Sequence, residues 1–208
     1  VWTVGVRASV PVLSVGLLIG NCSRAWWSRH ELDWRAIGAY LAGAVPCAAL
    51  GAVVYAGARV EWLSRLMGLF LIASVPLRRW LERGPVRMRL GHFPVLGAAT
   101  GFLSALVAAI GPVNTPFFLG YGLRRGGFVG TEAVCAAVVH LTKTVVYGRY
   151  ALLSREAGGL GLAVGAVMFV GAYFGRRILD RMSERAFVAV VESLLVALGV
   201  FFVLFPQR

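Results

Sequence analysis

Long apolar stretches alternate with short polar or arginine-rich stretches along almost the whole chain. A helix crosses a bilayer when about 17–25 consecutive residues are predominantly apolar. The sequence predicts crossing helices over residues 4–22, 36–56, 62–77, 93–110, 128–147, 157–175 and 186–205. A further apolar segment, 112–123, is too short to cross alone. The pattern predicts an all-α, polytopic transmembrane protein in which residues 1–208 form a single membrane domain.

Composition supports this prediction and excludes several classes of protein. The 208 residues are 59% hydrophobic and only 14% charged, whereas soluble domains average about 25% charged residues. An ordinary soluble enzyme, a disordered chain and a nucleic-acid-binding domain are therefore excluded despite the net charge of +12. The lipid bilayer is the expected partner. Cys22, Cys47 and Cys135 lack paired spacing, so we expect buried free thiols, with neither a disulfide nor a metal site.

The distribution of arginine predicts how the segment around residue 111 is arranged. Cytoplasmic loops of membrane proteins carry an excess of Lys and Arg. If 93–110 and 112–123 form a helical hairpin that returns to its own side, most arginines fall on one face. Without the return, the two faces are nearly balanced. The sequence therefore predicts a hairpin near Gly111–Pro112, with the arginine-rich face in the cytoplasm.

This topology divides the chain into two halves of opposite orientation. Spans 4–22 and 128–147 then run in opposite directions, and each is followed by two more spans. Residues 1–81 and 90–208 are thus interpreted as inverted-topology repeats, which are characteristic of secondary transporters. Asn21-x-x-Arg24 and His140-x-x-Lys143 match weakly between the halves. The first repeat is incomplete because it lacks a counterpart of the hairpin, and the chain opens on Val1, so either the start is non-standard or residues upstream are missing.

The hairpin tip, 108–116, contains residues suited to binding an anion. Gly111 permits a tight turn, and Pro112 suits the first position of a helix because its missing N–H would be unpaired there. A helix that begins inside the membrane directs free N–H groups and partial positive charge into the protein. Asn114 and Thr115 add side-chain donors. The alternative is a proline-kinked helix that packs through small residues.

A stripe of polar residues follows one face of span 128–147. Glu132, His140, Lys143 and Tyr147 lie within about 80° of one another on a helix, and such a stripe should face the protein interior. Lys143 then needs a carboxylate or a bound anion as its partner. Alternatively, Lys143 reaches outward to the interface while Tyr147 anchors there.

Glu132 and Glu192 are candidates for carrying a coupling proton, because both are carboxylates inside predicted spans. Asn21 and Arg24 are candidate substrate-binding residues only through their match to His140 and Lys143.

Four motifs resemble the second half of the TauE/SafE sulfite exporter family. They are Gly97-x-x-x-Gly101-Phe-Leu-Ser, Ile110-Gly-Pro-x-x-x-Pro116-Phe-Phe-Leu, Phe128-Val-x-Thr131-Glu-Ala and His140-x-x-Lys143-x-x-x-Tyr147. The first half is similar more loosely, through Asn21-x-x-Arg24 and the Leu-Asp-Trp-Arg segment that ends at Arg35. The resemblance implies a multi-pass permease of the bacterial inner (plasma) membrane that moves sulfite, sulfoacetate and related anions. One departure is that Ala108-Ala-Ile-Gly111 replaces two of the family's glycines with alanine and isoleucine.

Together these features predict a permease or exporter of small anions that works by alternating access and is not an enzyme. Lys143 would supply charge, Asn114 and Thr115 hydrogen bonds, and Gly111–Pro112 the turn, with His140 or Glu132 carrying a proton. No cofactor is expected. The alternative is a non-transporting or degenerate scaffold of the same family. An intramembrane enzyme is disfavoured because a nucleophile–base pair and a metal motif are missing from the sequence. The anion, the transport direction, the coupling ion and homo-oligomerisation stay open.

Overall fold

A computed structural model of the chain describes residues 5–82, 87–107, 110–123, 125–179, 193 and 200. Within these residues the chain is helical, as predicted. The α-helices are α1 (Gly5–Trp27), α2 (Trp34–Gly57), α3 (Val60–Glu82), α4 (Phe93–Val107), α5 (Gly111–Gly120), α6 (Arg125–Arg149) and α7 (Arg155–Leu179). Short 3-10 helices at Arg29–Glu31 and Leu90–His92 precede α2 and α4. The predicted span 186–205 and the candidate Glu192 lie outside the described residues.

Four helical segments of the described chain are long and apolar enough to cross a membrane: Arg7–Trp27, Trp34–Gly57, Leu90–Val107 and Gly126–Arg149. They correspond to the first, second, fourth and fifth predicted spans. The third and sixth predicted spans form α3 and α7, of 23 and 25 residues, which are not among these four. The exposed indole rings near helix ends suit an interfacial belt; they belong to Trp26, Trp27, Trp34, Trp62 and Trp80.

Some helices extend beyond the ends predicted from hydropathy, because polar residues continue the helix there. α1 runs through Ser23 and Arg24 to Trp27, because hydropathy marks only the apolar part of a helix and not its last turns. α2 begins after Asp33, whose carboxylate accepts from the backbone N–H groups of Arg35 and Ala36 and so caps the helix. α4 is described from Phe93 to Val107, and Ile110, the last residue of the predicted span, is not helical.

The cysteines are free thiols, as expected, but their burial differs from the prediction. Cys135 is buried, Cys47 is half-buried and Cys22 is exposed. A membrane helix can carry a thiol on its lipid-facing side at little cost, so an apolar run does not by itself imply a buried position. The prediction of burial was wrong for Cys22.

Glycines bring α2 and α4 into close backbone contact. A Cβ atom at Gly101 would lie 2.6 Å from the carbonyl oxygen of Ala44, and one at Gly97 would collide with the carbonyl oxygen of Tyr40. From the other side, a Cβ atom at Gly43 would collide with the carbonyl oxygen of Pro94. Small residues at such spacing let membrane helices approach closely. The Gly97-x-x-x-Gly101 motif therefore fixes the α2–α4 pair.

A second close pair is formed by the helices that are far apart in sequence, α1 and α7. A Cβ atom at Gly161 would lie 3.0 Å from the carbonyl oxygen of Val12, and one at Gly16 would lie 2.8 Å from Cγ1 of Val164. α6 packs against both α1 and α2 and so connects the two pairs. α6 is thus the central helix of the described bundle.

α4 and α5 form the predicted hairpin. The backbone N–H of Met88, just before α4, donates to the carbonyl oxygen of Gly120 at the end of α5 (3.2 Å). The rings of Phe93 and Phe118 meet edge to face with centroids 5.1 Å apart. α5 therefore returns to the side from which α4 starts, and Ile110 is the described residue that precedes it.

We expect Gly97→Ala to destabilise the protein by about 1–3 kcal/mol, the typical cost of overpacking a tight contact. Gly38→Ala on α2 is the matched control, because a Cβ atom at Gly38 meets nothing within 4 Å. Unfolding followed by circular dichroism in detergent measures both. Equal stability of the two variants would contradict a backbone contact at Gly97.

Candidate functional site

The end of α4 is held by two side chains of α6. Lys143 Nζ donates to the carbonyl oxygen of Ser104 (2.9 Å) and to its hydroxyl (2.8 Å). Tyr147 donates its hydroxyl hydrogen to the carbonyl oxygen of Ala105 (2.6 Å). The last four carbonyls of a helix have no partner within it, and a cation is favourable there because it complements the helix dipole. Lys143 is fully buried, so its charge is directed at the end of α4.

The start of α5 faces the cavity from the opposite side. The carbonyl oxygen of Ile110 accepts from the backbone N–H groups of Val113 (2.9 Å) and Asn114 (3.3 Å). Gly111 and Pro112 form the first helical residues, and the hydroxyl of Thr115 donates back to the carbonyl oxygen of Gly111 (3.2 Å). The hydroxyl hydrogen of Thr115 is therefore engaged within its own helix.

A small cavity lies between the hairpin tip, α2 and α6. Its volume is about 30 Å³, enough for one ordered water. The lining residues are Tyr40, Thr100, Ser104, Ile110, Gly111, Asn114, Glu132, Ala136, Val139 and His140. Four of the sequence-predicted site residues, Gly111, Asn114, Glu132 and His140, are thus brought together. Lys143 is separated from the cavity by Ser104.

Two polar atoms of the site lack a hydrogen-bond partner within the described structure. They are Oδ1 of Asn114 and Nδ1 of His140, and both atoms are fully buried. Buried polar atoms are nearly always paired, so each exception needs an explanation. Because both side chains line the same cavity, a water or a small polar ligand in the cavity would supply the missing partner.

Tyr40 on α2 fixes the orientation of Asn114. Nδ2 of Asn114 donates to the Tyr40 hydroxyl (3.2 Å), which lies 2.8 Å from Oγ1 of Thr100. Thr100 donates its only hydroxyl hydrogen to the carbonyl oxygen of Leu96 (2.7 Å). Tyr40 must therefore donate to Thr100 and accept from Asn114, which leaves Oδ1 of Asn114 for the cavity.

Sequence reasoning did not identify Tyr40 or Thr100. A single tyrosine within the apolar α2 is indistinguishable from a core aromatic residue, and the sequence around Tyr40 contains no signal for its role. Thr100 precedes Gly101 in the glycine motif of α4, and this neighbourhood was the one sequence signal that could have indicated a role for Thr100.

A half-buried ion pair joins α1 to the cavity. Arg24 Nη2 lies 2.8 Å from Oε2 of Glu132, and the exposed side-chain fractions are 41% and 6%. Arg24 Nη1 also donates to Oδ1 of Asn21 (3.0 Å), whose Nδ2 donates to the carbonyl oxygen of Leu17 (2.9 Å). Asn21 and Arg24 therefore meet the site through Glu132.

The other oxygen of Glu132 lies beside the hairpin tip. A Cβ atom at Gly111 would be 3.7 Å from Oε1 of Glu132. The carboxylate thus spans from the guanidinium of Arg24 to the first residue of α5, which is the positive end of that helix.

The arrangement suits reversible binding of a small polar or charged molecule between helix ends. The cavity lining combines one carboxylate, one imidazole and one amide, and the guanidinium of Arg24 is joined to it through Glu132. The described part of the chain holds no cluster of three His, Cys, Asp or Glu side chains that could bind a metal ion.

Comparison with protein families gives one match. Residues 1–202 match the family model described as Sulfite exporter TauE/SafE. No curated protein and no solved structure matches the chain. The family match covers α1 to α7 and therefore every element that contributes to the cavity.

We expect Tyr40→Phe to cost about 1–3 kcal/mol in the free energy of unfolding, because it leaves the buried amide of Asn114 without an acceptor. A double-mutant cycle with Asn114→Ala should give a coupling energy of about 0.5–3 kcal/mol. Tyr150→Phe is the control, because Tyr150 is 52% exposed. Additive effects of Tyr40→Phe and Asn114→Ala in denaturant titrations would contradict the network.

Proposed function

Because the chain belongs to the sulfite exporter TauE/SafE family of membrane transporters, we propose that it moves sulfite or small organic sulfonates across the bacterial inner membrane. The chain is a multi-pass membrane protein of a family of transporters, which are not enzymes. The specific anion and the alternating-access mechanism are our proposal.

The observation that carries the proposal is the cavity at the break between α4 and α5. Broken helices whose ends meet inside the protein are the usual substrate sites of secondary transporters, with helix N-termini directed at anionic groups. Here the N-terminus of α5 faces a cavity where Asn114 and His140 each keep one unpartnered polar atom.

We assign the roles within the site as follows. Gly111 and Pro112 form the helix start that receives the anion, and Asn114 and His140 provide side-chain hydrogen bonds. Arg24 supplies the positive charge and Asn21 orients its guanidinium.

Lys143 and Thr115 contribute from outside the cavity wall. Lys143 acts through Ser104, whose hydroxyl accepts from Nζ and lines the cavity. Thr115 stabilises the first turn of α5. Glu132 is our candidate for the coupling proton because it is a carboxylate that lines the cavity, and Glu192 is the second candidate.

The packing of the helices supports the proposal of inverted repeats. If α1 corresponds to α6 and α2 to α7, then the α1–α7 and α2–α6 contacts are equivalent, and both are present. The ion pair between Arg24 and Glu132 then crosses from one repeat to the other. A site at such a boundary would open to either side as one repeat rocks against the other.

A non-transporting scaffold of the same family is the second candidate. Ile110 favours it, because this residue lines the cavity at a position where the family has a small residue. A larger side chain there reduces the space for a ligand.

We expect saturable flux of sulfite, and of sulfoacetate or taurine, into proteoliposomes that contain the native chain. Asn114→Ala should lower the flux at least about tenfold, because a lost hydrogen bond to a charged ligand costs about 1.5–3 kcal/mol. Lys143→Ala should also lower it, with a parallel loss of stability because the end of α4 loses its cation.

Thr142→Ala is the matched control for these variants. Its hydroxyl donates to the carbonyl oxygen of Val138 within α6 (2.9 Å) and does not line the cavity. Native-like flux in Asn114→Ala would place the substrate elsewhere. Absence of flux in the native protein would favour the scaffold.

A further inference from the structure

One carboxylate, that of Glu132, already lies between the guanidinium of Arg24 and the start of α5. Oε2 of Glu132 lies 2.8 Å from Arg24 Nη2, and Oε1 lies beside Gly111 at the start of α5. A transported anion would need these same two partners, because guanidinium groups and helix N-termini are what bind oxyanions in proteins.

The remaining space supports the same conclusion. The cavity holds about one water, and an oxyanion with three oxygens around sulfur is larger than a water molecule. The Asn114 atom that faces the cavity is the acceptor Oδ1, so the amide has to turn before its NH2 group can donate to an anion. An anion therefore enters only if a group that now occupies the site moves.

We infer that Glu132 is an internal anion, which occupies the transported anion's place on Arg24 and is exchanged for it. This inference rests on the proposed transport function and specifies how the site is loaded. The anion takes the guanidinium and the start of α5, and the carboxylate of Glu132 moves away from Arg24.

Charge balance determines what happens to the displaced carboxylate. The titratable and charged side chains that face Glu132 in the described structure are Arg24 of α1, Tyr40 of α2, and Cys135 and His140 of its own helix. Among the described residues of α5, the uncharged Gly111 and Asn114 line the cavity together with Glu132.

Arg24 is therefore the one permanent cation among the described groups around Glu132, and it can neutralise only one anion. After the exchange, Glu132 takes up one proton, so the site is neutral before and after. One proton thus enters with each anion. The anion and the proton reach the Arg24–Glu132 pair from the end of α1, where the side chain of Arg24 is 41% exposed.

The exchange can be tested by anion binding to the purified native chain and to Glu132→Gln. Methanesulfonate is the probe, because its charge does not change in the pH range used. Isothermal titration calorimetry in detergent gives the affinity, and proteoliposome flux of sulfite and methanesulfonate is measured on the same preparations.

We expect Glu132→Gln to bind methanesulfonate about ten- to hundredfold more tightly than the native chain near neutral pH, because the competing carboxylate is gone. The native affinity should weaken about tenfold for each unit of rising pH, the slope of one proton taken up per anion. Glu132→Gln should show no such slope. Glu156→Gln, at an exposed carboxylate in the first turn of α7, should retain the native affinity and slope.

A double variant separates exchange from a simple change in net charge. Arg24→Gln combined with Glu132→Gln has the same net charge as the native chain, yet we expect it not to bind methanesulfonate, because the exchanged cation is absent. Binding by this variant as tight as that of Glu132→Gln would overturn the assignment of Arg24.

The two proposals fail in different ways. Three results for folded Glu132→Gln would each overturn the exchange, even if the native chain transports sulfite. The variant could fail to bind methanesulfonate, could bind it with the affinity of the native chain, or could keep the native dependence of affinity on pH. Absence of flux in both the native chain and Glu132→Gln overturns the transport function. Circular dichroism and gel filtration establish that each variant is folded.

Discussion

The interruption between α4 and α5 imposes the strongest constraint on this structure. Lipid offers no hydrogen bonds, so backbone groups released inside the membrane have to be satisfied by protein or by enclosed water. The carbonyls of Ser104 and Ala105 are satisfied by Lys143 and Tyr147, and the start of α5 by the carbonyl of Ile110. A helix rich in polar side chains must therefore stand beside the break, and α6 fills that position.

The polar stripe of α6 serves two tasks along its length. Lys143 and Tyr147 hold the end of α4, whereas Glu132 and His140 line the cavity at the start of α5. The stripe faces the interior, as its helical spacing predicts, and the complete burial of Lys143 rules out an outward-reaching side chain. The residues that stabilise the break between α4 and α5 are therefore distinct from the residues that are available to bind a ligand.

Sequence patterns predicted the helices and their polar faces better than they predicted which residues pair between helices. Hydropathy located the helices because it is a local signal, and Pro112 together with the distribution of arginine over all loops located the hairpin. The pairing of Arg24 with Glu132 spans 108 residues and depends on α1 lying against α6. α1 also packs against α7 through glycine contacts such as that of Gly16, and no local pattern identifies the partner helix of either contact. The role of Tyr40 was not predicted for the same reason, because its hydrogen bond with Asn114 forms only when α2 lies beside α5.

The long separation between α1 and its partners has a consequence for synthesis of the protein in the cell. α1 leaves the ribosome before the helices that cover it, α6 and α7, which follow only after α2 to α5 have been made. Until α6 follows, Arg24 lacks the carboxylate with which it pairs in the folded chain. Assembly of the Arg24–Glu132 pair therefore has to wait until α6 has been made.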